Sequence, residues 1–361
     1  TLPELARSLI TQYGGKVPNG DYGATLLDSV SGAVRDVAGN LNLVTAGLTC
    51  REAQDLVLPE LLNGVIDYST GVLVMEFDEI TDASPSTNLD GSKIRLSNTA
   101  GDTTLGTQSP PLMGEVSISL NGATVEAQDD SPLLTLTLTE LQRSMAISLS
   151  GTSGGDNVAL VIDVDQGAAR DVGTNLLDAK TGVVLTETAD TTIPTILSSA
   201  INYGTGVLII TSDEFIDTTP NTLVDVDQLH LSDASGAYGI QLTGAEVTSN
   251  GFDSLDVTVT LTELQRVTAI AISGTPGGDN SAVVLDCRAA AFKDVAGNPT
   301  VQQEGLSVAE TRDSILPILL SASLNLTDVG ATDPGAAYLR ILASETIDVT
   351  HLQLDKLFVV D

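Results

Sequence analysis

Three glutamates recur in register along this 361-residue chain, at Glu79, Glu214 and Glu345, and an aspartate follows each three residues later, at Asp82, Asp217 and Asp348. Asp90 matches Asp225 in the same way, and Asp227 matches Asp355. Carboxylates gathered at loop ends are hard oxygen donors, and Ca²⁺ takes about six to eight such oxygens. Glu79, Asp82, Glu214, Asp217, Asp225 and Asp227 are therefore the candidate Ca²⁺ ligands, and an ion there would stiffen a joint between domains. The same residue types also form Asx turns and a solvated acidic face. No Asp-x-Asp-x-Asp-Gly loop closing on a glutamate is present. Paired carboxylates can hydrolyse glycosides, but such a pair belongs in one cleft at one fixed separation. A pair repeated in every unit is a feature of a lattice.

Other reactive residues are few. His230 aligns with Arg95 and Phe358, which predicts an outward-facing position, and His351 is expected to be a surface histidine without a carboxylate or cysteine partner. Cys287 aligns with Val164 and Ser29 and reads as a small buried residue. Cys50 has no counterpart cysteine, so a bridge within the chain is not expected, and an intermolecular one stays open. The glycine-rich stretch Gly151-Thr-Ser-Gly-Gly-Asp156 is a loop, not a phosphate cradle between strand and helix. With no nucleophile elbow, P-loop or zinc spacing, no catalytic or cofactor-binding residue is assigned, and the chain is not expected to be an enzyme.

The charge narrows the partners. Against 48 Asp+Glu stand 15 Lys+Arg, giving a net charge of −33. Nucleic acid requires a basic face that releases counterions, and anionic lipid requires the same sign; neither is expected. No apolar run is long enough to span a bilayer as a helix. Asn325-Leu326-Thr327 is the single Asn-x-Ser/Thr sequon, which makes Asn325 the expected glycan site of a secreted chain. Exposed Thr and Ser could carry further glycans.

The elements that must position these residues come in repeats. Leu138-Thr-Glu-Leu-Gln-Arg143 returns as Leu261-Thr-Glu-Leu-Gln-Arg266, and Leu2-Pro-Glu-Leu-Ala-Arg7 is a looser copy. Gly-Asp steps follow at 20–21, 155–156 and 278–279. After them come Arg35-Asp-Val-Ala-Gly-Asn40, Arg170-Asp-Val-Gly173 and Lys293-Asp-Val-Ala-Gly-Asn298, then an apolar-Pro step at Pro59, Pro194 and Pro317. Pro59 to Pro194 is 135 residues and Pro194 to Pro317 is 123; the 12-residue difference falls between Asn98 and Leu138. Two complete repeats, 57–191 and 192–314, are thus flanked by the back half of one repeat (1–56) and the front half of another (315–361).

Within a repeat, alternation of apolar and polar residues marks half-buried strands. Leu134–Leu138 and Val257–Leu261 alternate cleanly. Val72–Met75, Ile94–Leu96, Val116–Leu120 and Leu160–Val164 are expected strands, as are Val207–Ile210, Leu229–Leu231, Ile240–Leu242 and Val283–Cys287. Asn-Gly pairs at 63–64, 121–122 and 250–251 are read as hairpin turns. A single helical turn is expected at Thr-Glu-Leu-Gln-Arg, capped by Thr139 or Thr262. Many short strands in about 120 residues predict an all-β fold, a tandem series of immunoglobulin-like β-sandwiches. The Cys…Trp…Cys core of antibody domains is missing.

At this point the chain resembles the bacterial-type Ig-like repeats of large secreted and cell-surface fibres and adhesins, seen also in giant surface proteins of protists. The likeness rests on the strand-edge motif (Phe77-Asp-Glu-Ile-Thr-Asp82, Ser212-Asp-Glu-Phe-Ile-Asp217, Ser344-Glu-Thr-Ile-Asp348), the Asp-Val-Ala-Gly-Asn turn and the linker Ala189-Asp-Thr-Thr-Ile-Pro194. In the first complete repeat Gly173-Thr-Asn replaces Ala-Gly-Asn. The resemblance implies an extracellular or surface-bound structural protein.

The two half-repeats suggest how such a protein assembles. Thr1 aligns with Thr260 and Asp361 with Asp233, so the halves together rebuild one repeat lacking only the counterpart of 234–259. Neither half can bury its apolar face alone. Head-to-tail completion between copies is expected, giving an open filament; the alternative is one stretch of a longer adhesin stalk. Short linkers without glycine, Glu187–Pro194 and Ala309–Pro317, should hold successive domains stiffly. The inserted region 99–137 is the expected place for a contact peculiar to its repeat. The five Phe and six Tyr are too scattered for a sugar-binding platform.

Overall fold

The computed structural model describes residues 2–14, 23–111, 117–126, 128–248, 251–325 and 338–360. It is mostly β. The leading half-repeat holds helix α1 (Glu4–Tyr13) and strands β1 (Leu26–Ser29) and β2 (Thr45–Thr49). The first complete repeat runs β3 (Leu61–Asp67), β4 (Val72–Thr81), β5 (Ile94–Ser97), β6 (Ser117–Ser119), β7 (Thr124–Val125), β8 (Ser131–Thr137), α2 (Glu140–Ser148), β9 (Val161–Val164) and β10 (Lys180–Thr188). The second complete repeat follows the same course. It has β11 (Ile196–Asn202), β12 (Val207–Ile216), β13 (Leu229–Ser232), β14 (Ile240–Gln241), β15 (Glu246–Thr248), β16 (Ser254–Thr260), α3 (Glu263–Ala271), β17 (Val284–Cys287) and β18 (Gln303–Thr311). The trailing half-repeat holds β19 (Leu319–Asn325) and β20 (Tyr338–Ala343).

Each complete repeat forms one curled eight-stranded sheet, ordered β6-β5-β9-β10-β3-β4-β8-β7 in the first and β14-β13-β17-β18-β11-β12-β16-β15 in the second. The last long strand passes between two ladders. In β10, residues 185–188 lie parallel to β3 while residues 180–184 lie antiparallel to β9. Leu208, Ile210, Val257 and Val259 of one ladder and Leu229, Leu231, Leu285 and Cys287 of the other share a single core. Period-two alternation puts these residues inside, and Tyr203 and Phe292 fill the largest spaces. By contrast β1-β2 and β19-β20 are two-stranded sheets. The chain divides into two compact bodies, Thr1–Ile193 with Asp294–Asn298, and Pro194–Lys293 with Pro299–Asp361.

Several expectations need correction. Asn63-Gly64 is not a turn but lies inside β3; a side chain on Gly64 would collide with Ile162, its Cβ falling 2.4 Å from Cδ1. The glycine there serves close packing. The hairpin turn comes later, at Tyr68–Gly71. Asn121-Gly122 does form a turn, with Gly122 at φ 90°, whereas Asn250 lies outside the described residues, as does the Gly20-Asp21 step. The single helical turn is instead a helix of nine residues in α2 and α3 and ten in α1. In α2 the residues Met145, Ala146 and Ile147 turn into the core and extend it.

His230 is also corrected: it is 3% exposed, because β13 is buried on both faces. Its ring meets Tyr238 edge-on at 5.0 Å, and burial holds its pKa below the usual value. His351 is at the surface, but it does have a carboxylate partner, with Nδ1 2.5 Å from Asp348 Oδ2. Cys287 is buried, its thiol pushed up to about 12 by desolvation, and both cysteines are free thiols.

Candidate functional site: an arginine clamp between successive repeats

The recurring Leu-Thr-Glu-Leu-Gln-Arg hexapeptide explains itself residue by residue. Thr262 caps α3 by accepting from the Gln265 amide at 3.3 Å, and the Gln265 side chain accepts from the Thr262 amide at 2.8 Å. This is a reciprocal capping box, and Thr139 with Gln142 forms the same one in α2. The Gln265 amide group also donates to the carbonyls of Gln241 and Thr243, each at 3.0 Å, which anchors the helix to the sheet. With the helix so fixed, the arginine one residue on is aimed at the end of its repeat.

Arg266 reaches four acceptors. Its guanidinium donates to both oxygens of Glu263 at 2.8 and 2.9 Å, to the Tyr203 carbonyl at 2.9 Å and to Asp313 at 2.7 Å. Across the junction it donates to Glu345 of the trailing half-repeat at 3.3 Å. Glu263 in turn accepts from the Thr346 amide at 2.8 Å. Helix, linker and next repeat are thereby fastened to one guanidinium, whose planar fork suits several acceptors at once. These hydrogen bonds hold Glu263 well below the usual carboxylate range, at about 2.

Arg7 builds the same clamp two repeats earlier. It pairs with both oxygens of Glu4 at 2.7 and 2.8 Å and with Asp55 of the linker, and lies 3.1 Å from Glu79 of the first complete repeat. Glu4 accepts from the Ile80 amide at 3.3 Å, and Gln12 of α1 donates to Asp130 at 2.7 Å. Arg143 stands at the corresponding place in α2, bonded to Glu140, the Tyr68 carbonyl and the linker residue Asp190.

The first clamp carries an acidic cluster. Asp55, Glu79 and Asp171 each bring a carboxylate oxygen within 4.8 Å of the others. Glu79 is 7% exposed, and its Oε2, although near Arg7, makes no hydrogen bond of good geometry. Desolvation outweighs the guanidinium and pushes the Glu79 carboxyl up to about 7. Burial also raises Asp171, against the amide and side chain of Asn175 that donate to it. These hard oxygens are of the kind Ca²⁺ takes, and Arg7 is the cation that the described residues already supply to them.

The six predicted ligands do not gather. Glu79 joins Asp55 and Asp171, while Asp82 accepts from Arg170 at 2.8 Å and from Asn88 at 2.9 Å. Asp217 accepts from the Thr219 amide at 3.2 Å, and burial raises its pKa. Asp225 caps a short turn by accepting from the Asp227 amide at 3.1 Å, and both side chains are exposed, as in an Asx turn. Glu214 is buried at the end of β12. Asn325 ends β19 and donates to the Tyr338 hydroxyl at 3.1 Å; Leu326 and Thr327 of its sequon lie outside the described residues.

Two sets of recurring aspartates escaped the sequence reading although register marks them. The linker aspartates Asp55, Asp190 and Asp313 repeat at the same 135- and 123-residue spacings as the prolines. Asp28, Asp163 and Asp286 also align. Asp163 and Asp286 are wholly buried and accept from the amides of Gly182 and Gly305, and Asp28 accepts from the amide of Gly47. In the inserted region, Ser109 accepts from Ser144 of α2 at 2.6 Å, and β6, β7 and β8 join the sheet.

No protein-family model matches the chain, and no curated protein matches its sequence. Among the described residues, no helix is long and apolar enough to cross a membrane.

Proposed function

We propose that this chain is a structural subunit of an extracellular filament or surface appendage, built from tandem immunoglobulin-like β-sandwiches and joined head to tail. The observation that carries this reading is the arginine clamp. The arginine ties helix to linker at the end of each repeat, and at Arg7 and Arg266 it also reaches the repeat that follows, an arrangement suited to load and spacing. The half-repeats complete the argument. They expose Leu27, Leu48, Leu320, Leu339 and Val359 at 40% or more each, an apolar surface that seeks a partner. Two open cavities mark these faces. One, of about 520 Å³, lies among α1, β1 and residues 50–55, and the other, of about 500 Å³, lies over β19, β20 and 357–360. A heterologous contact of this kind does not close on itself and gives a filament. The net charge of −33 keeps such filaments soluble and apart. Where Ca²⁺ adds to a joint, Asp55, Glu79 and Asp171 hold it, and glycans on Asn325 belong to the same surface setting.

Electron microscopy and sedimentation velocity of the purified chain test this reading. Filaments or long oligomers are expected, and the double variant Leu339→Asp/Val359→Asp should shorten them to monomers while the complete repeats stay folded. Single monomeric rods from the unaltered chain would favour the second reading, a stretch of an adhesin stalk.

A further inference from the structure

A turn at Leu120–Ala123 links the two ends of the curled sheet in the first complete repeat. The chain leaves β6, at one edge of the strand order, and enters β7, at the other. The Ala123 amide donates to the Leu120 carbonyl at 3.0 Å, and Gly122 stands at φ 90°, the backbone a type II turn asks of its third residue. Helix α2 is pinned to this turn, because the Gln142 side chain donates to the carbonyls of Ser119 at 2.8 Å and Asn121 at 2.9 Å. The second complete repeat builds the same turn. The Ala245 amide donates to the Leu242 carbonyl at 2.9 Å, Gly244 stands at φ 82°, and Gln265 holds the carbonyls of Gln241 and Thr243. Leu-Asn-Gly-Ala and Leu-Thr-Gly-Ala differ only at Asn121 and Thr243.

That one difference carries chemistry. Asparagine is a thermolabile residue, and before glycine its side-chain carbonyl is open to attack by the next main-chain nitrogen, since glycine has no Cβ to obstruct the approach. The fold decides which Asn-Gly pair can react. Asn63 donates to Glu76 at 2.8 Å, and Gly64 is buried in the sheet between Met75 and Leu185. Asn121 and Gly122 are both exposed, and a Cβ built on Gly122 meets nothing within 4 Å. Among the described residues, neither the Asn121 side chain nor the Gly122 amide has a hydrogen-bond partner. Of the remaining Asn-Gly pairs, Asn19, Gly20 and Asn250 lie outside the described residues.

We propose that Asn121 is a site of self-modification, which ages the first complete repeat at a turn where the second is inert. The Gly122 nitrogen gives its proton to hydroxide and bonds to Asn121 Cγ. The Cγ–Nδ2 bond breaks, and the nitrogen leaves as ammonia with a proton from water. Water then opens the succinimide ring. Cleavage at the Asn121 main-chain carbonyl carbon leaves isoaspartate, and cleavage at Cγ leaves aspartate. Both products add a negative charge, and isoaspartate also lengthens the main chain of the turn by one carbon. The Ala123–Leu120 hydrogen bond and the Gln142 anchor then lose their fit, so the link from β6 to β7 loosens. Thr243 has no carboxamide and cannot follow this route.

The test ages the full chain in warm, mildly alkaline buffer and reads isoaspartate in its peptides by electron-transfer mass spectrometry. The Asn121 peptide should convert at least about tenfold faster than the Asn63 peptide, which reacts only when the sheet opens. In urea the two rates should come together. Ageing should lower the unfolding midpoint of the unaltered chain, and lower it less in Asn121→Thr, which carries the second repeat's own turn. An Asn121 peptide that stays intact in the folded chain, or converts no faster than that of Asn63, overturns the site. Conversion with an equal loss of stability in the unaltered chain and in Asn121→Thr overturns the loosening of the repeat.

Discussion

Leu285 and Leu27 occupy the same place in the repeat, yet Leu285 is wholly buried and Leu27 is 52% exposed. Phe292 and Val34 differ in the same way, at 0% and 68%. Their local sequences, turns and strand pairings are alike. What differs is the sheet around them, because eight strands curl over Leu285 and two lie flat under Leu27. The comparison teaches that alternation writes an apolar face into a strand while only neighbouring strands bury it.

The sharpest way to break that comparison is to truncate both members of a pair. Phe292→Ala should cost about 3–5 kcal/mol, as large core truncations do, whereas Val34→Ala should cost less than about 0.5 kcal/mol in a dilute, unassembled chain. Thermal unfolding reads both, and equal costs would show that the leading half-repeat is already covered.

The two clamps offer the next test. The Arg266 side chain is 9% exposed and that of Arg7 is 30% exposed. Arg266→Ala leaves Glu263, Asp313 and Glu345 without the guanidinium they share, so a loss of about 2 kcal/mol is expected in chemical denaturation. Arg7→Ala should lose about 1 kcal/mol, because Arg7 is itself the more exposed arginine and water already competes for its hydrogen bonds.

The clamps also answer pH with opposite signs. Glu79 has a folded pKa of about 7 against an ordinary 4.5, so the folded state binds the extra proton. Its contribution favours folding below pH 4.5 and is lost as pH rises toward 7; the swing is on the order of 2 kcal/mol. Glu263 is lowered to about 2, so its contribution is present above pH 4.5 and lost as pH falls toward 2. Stability followed from pH 4 to 8 should gain a flatter profile in Glu79→Gln, and an unchanged profile would refute the burial of that carboxyl. The smallest effect concerns caps. Thr262→Ala should cost about 1 kcal/mol, whereas α1 begins at Pro3 with no side-chain cap, so Pro3→Ser should gain a few tenths and raise amide protection in the helix.

Much of this was legible in the sequence. Period-two alternation located ten strands within a few residues, and the hexapeptide marked each α-helix among the described residues. In the complete repeats β3, β7, β10, β11, β15 and β18 were missed. Asn63-Gly64 has turn chemistry but lies in β3, because Gly64 is needed where Ile162 and Leu185 press close. The alternation of β10 is broken by an irregularity between Lys180 and Val183, where Gly182 gives its amide to Asp163. His230 read as exposed because alignment with Arg95 suggested tolerance. Arg95 lies on the same strand position but turns its charged end to Asp165, while His230 packs its ring on Tyr238. The clamp itself joins residues 47 or more positions apart, Arg266 with Asp313 and Arg7 with Glu79, and only the fold shows that they meet.

The most direct measurement is electron microscopy of the natively isolated material at a resolution that traces the joint between half-repeats. One curled sheet shared by two chains is predicted there. A joint closed by strands of a single continuous chain would contradict it.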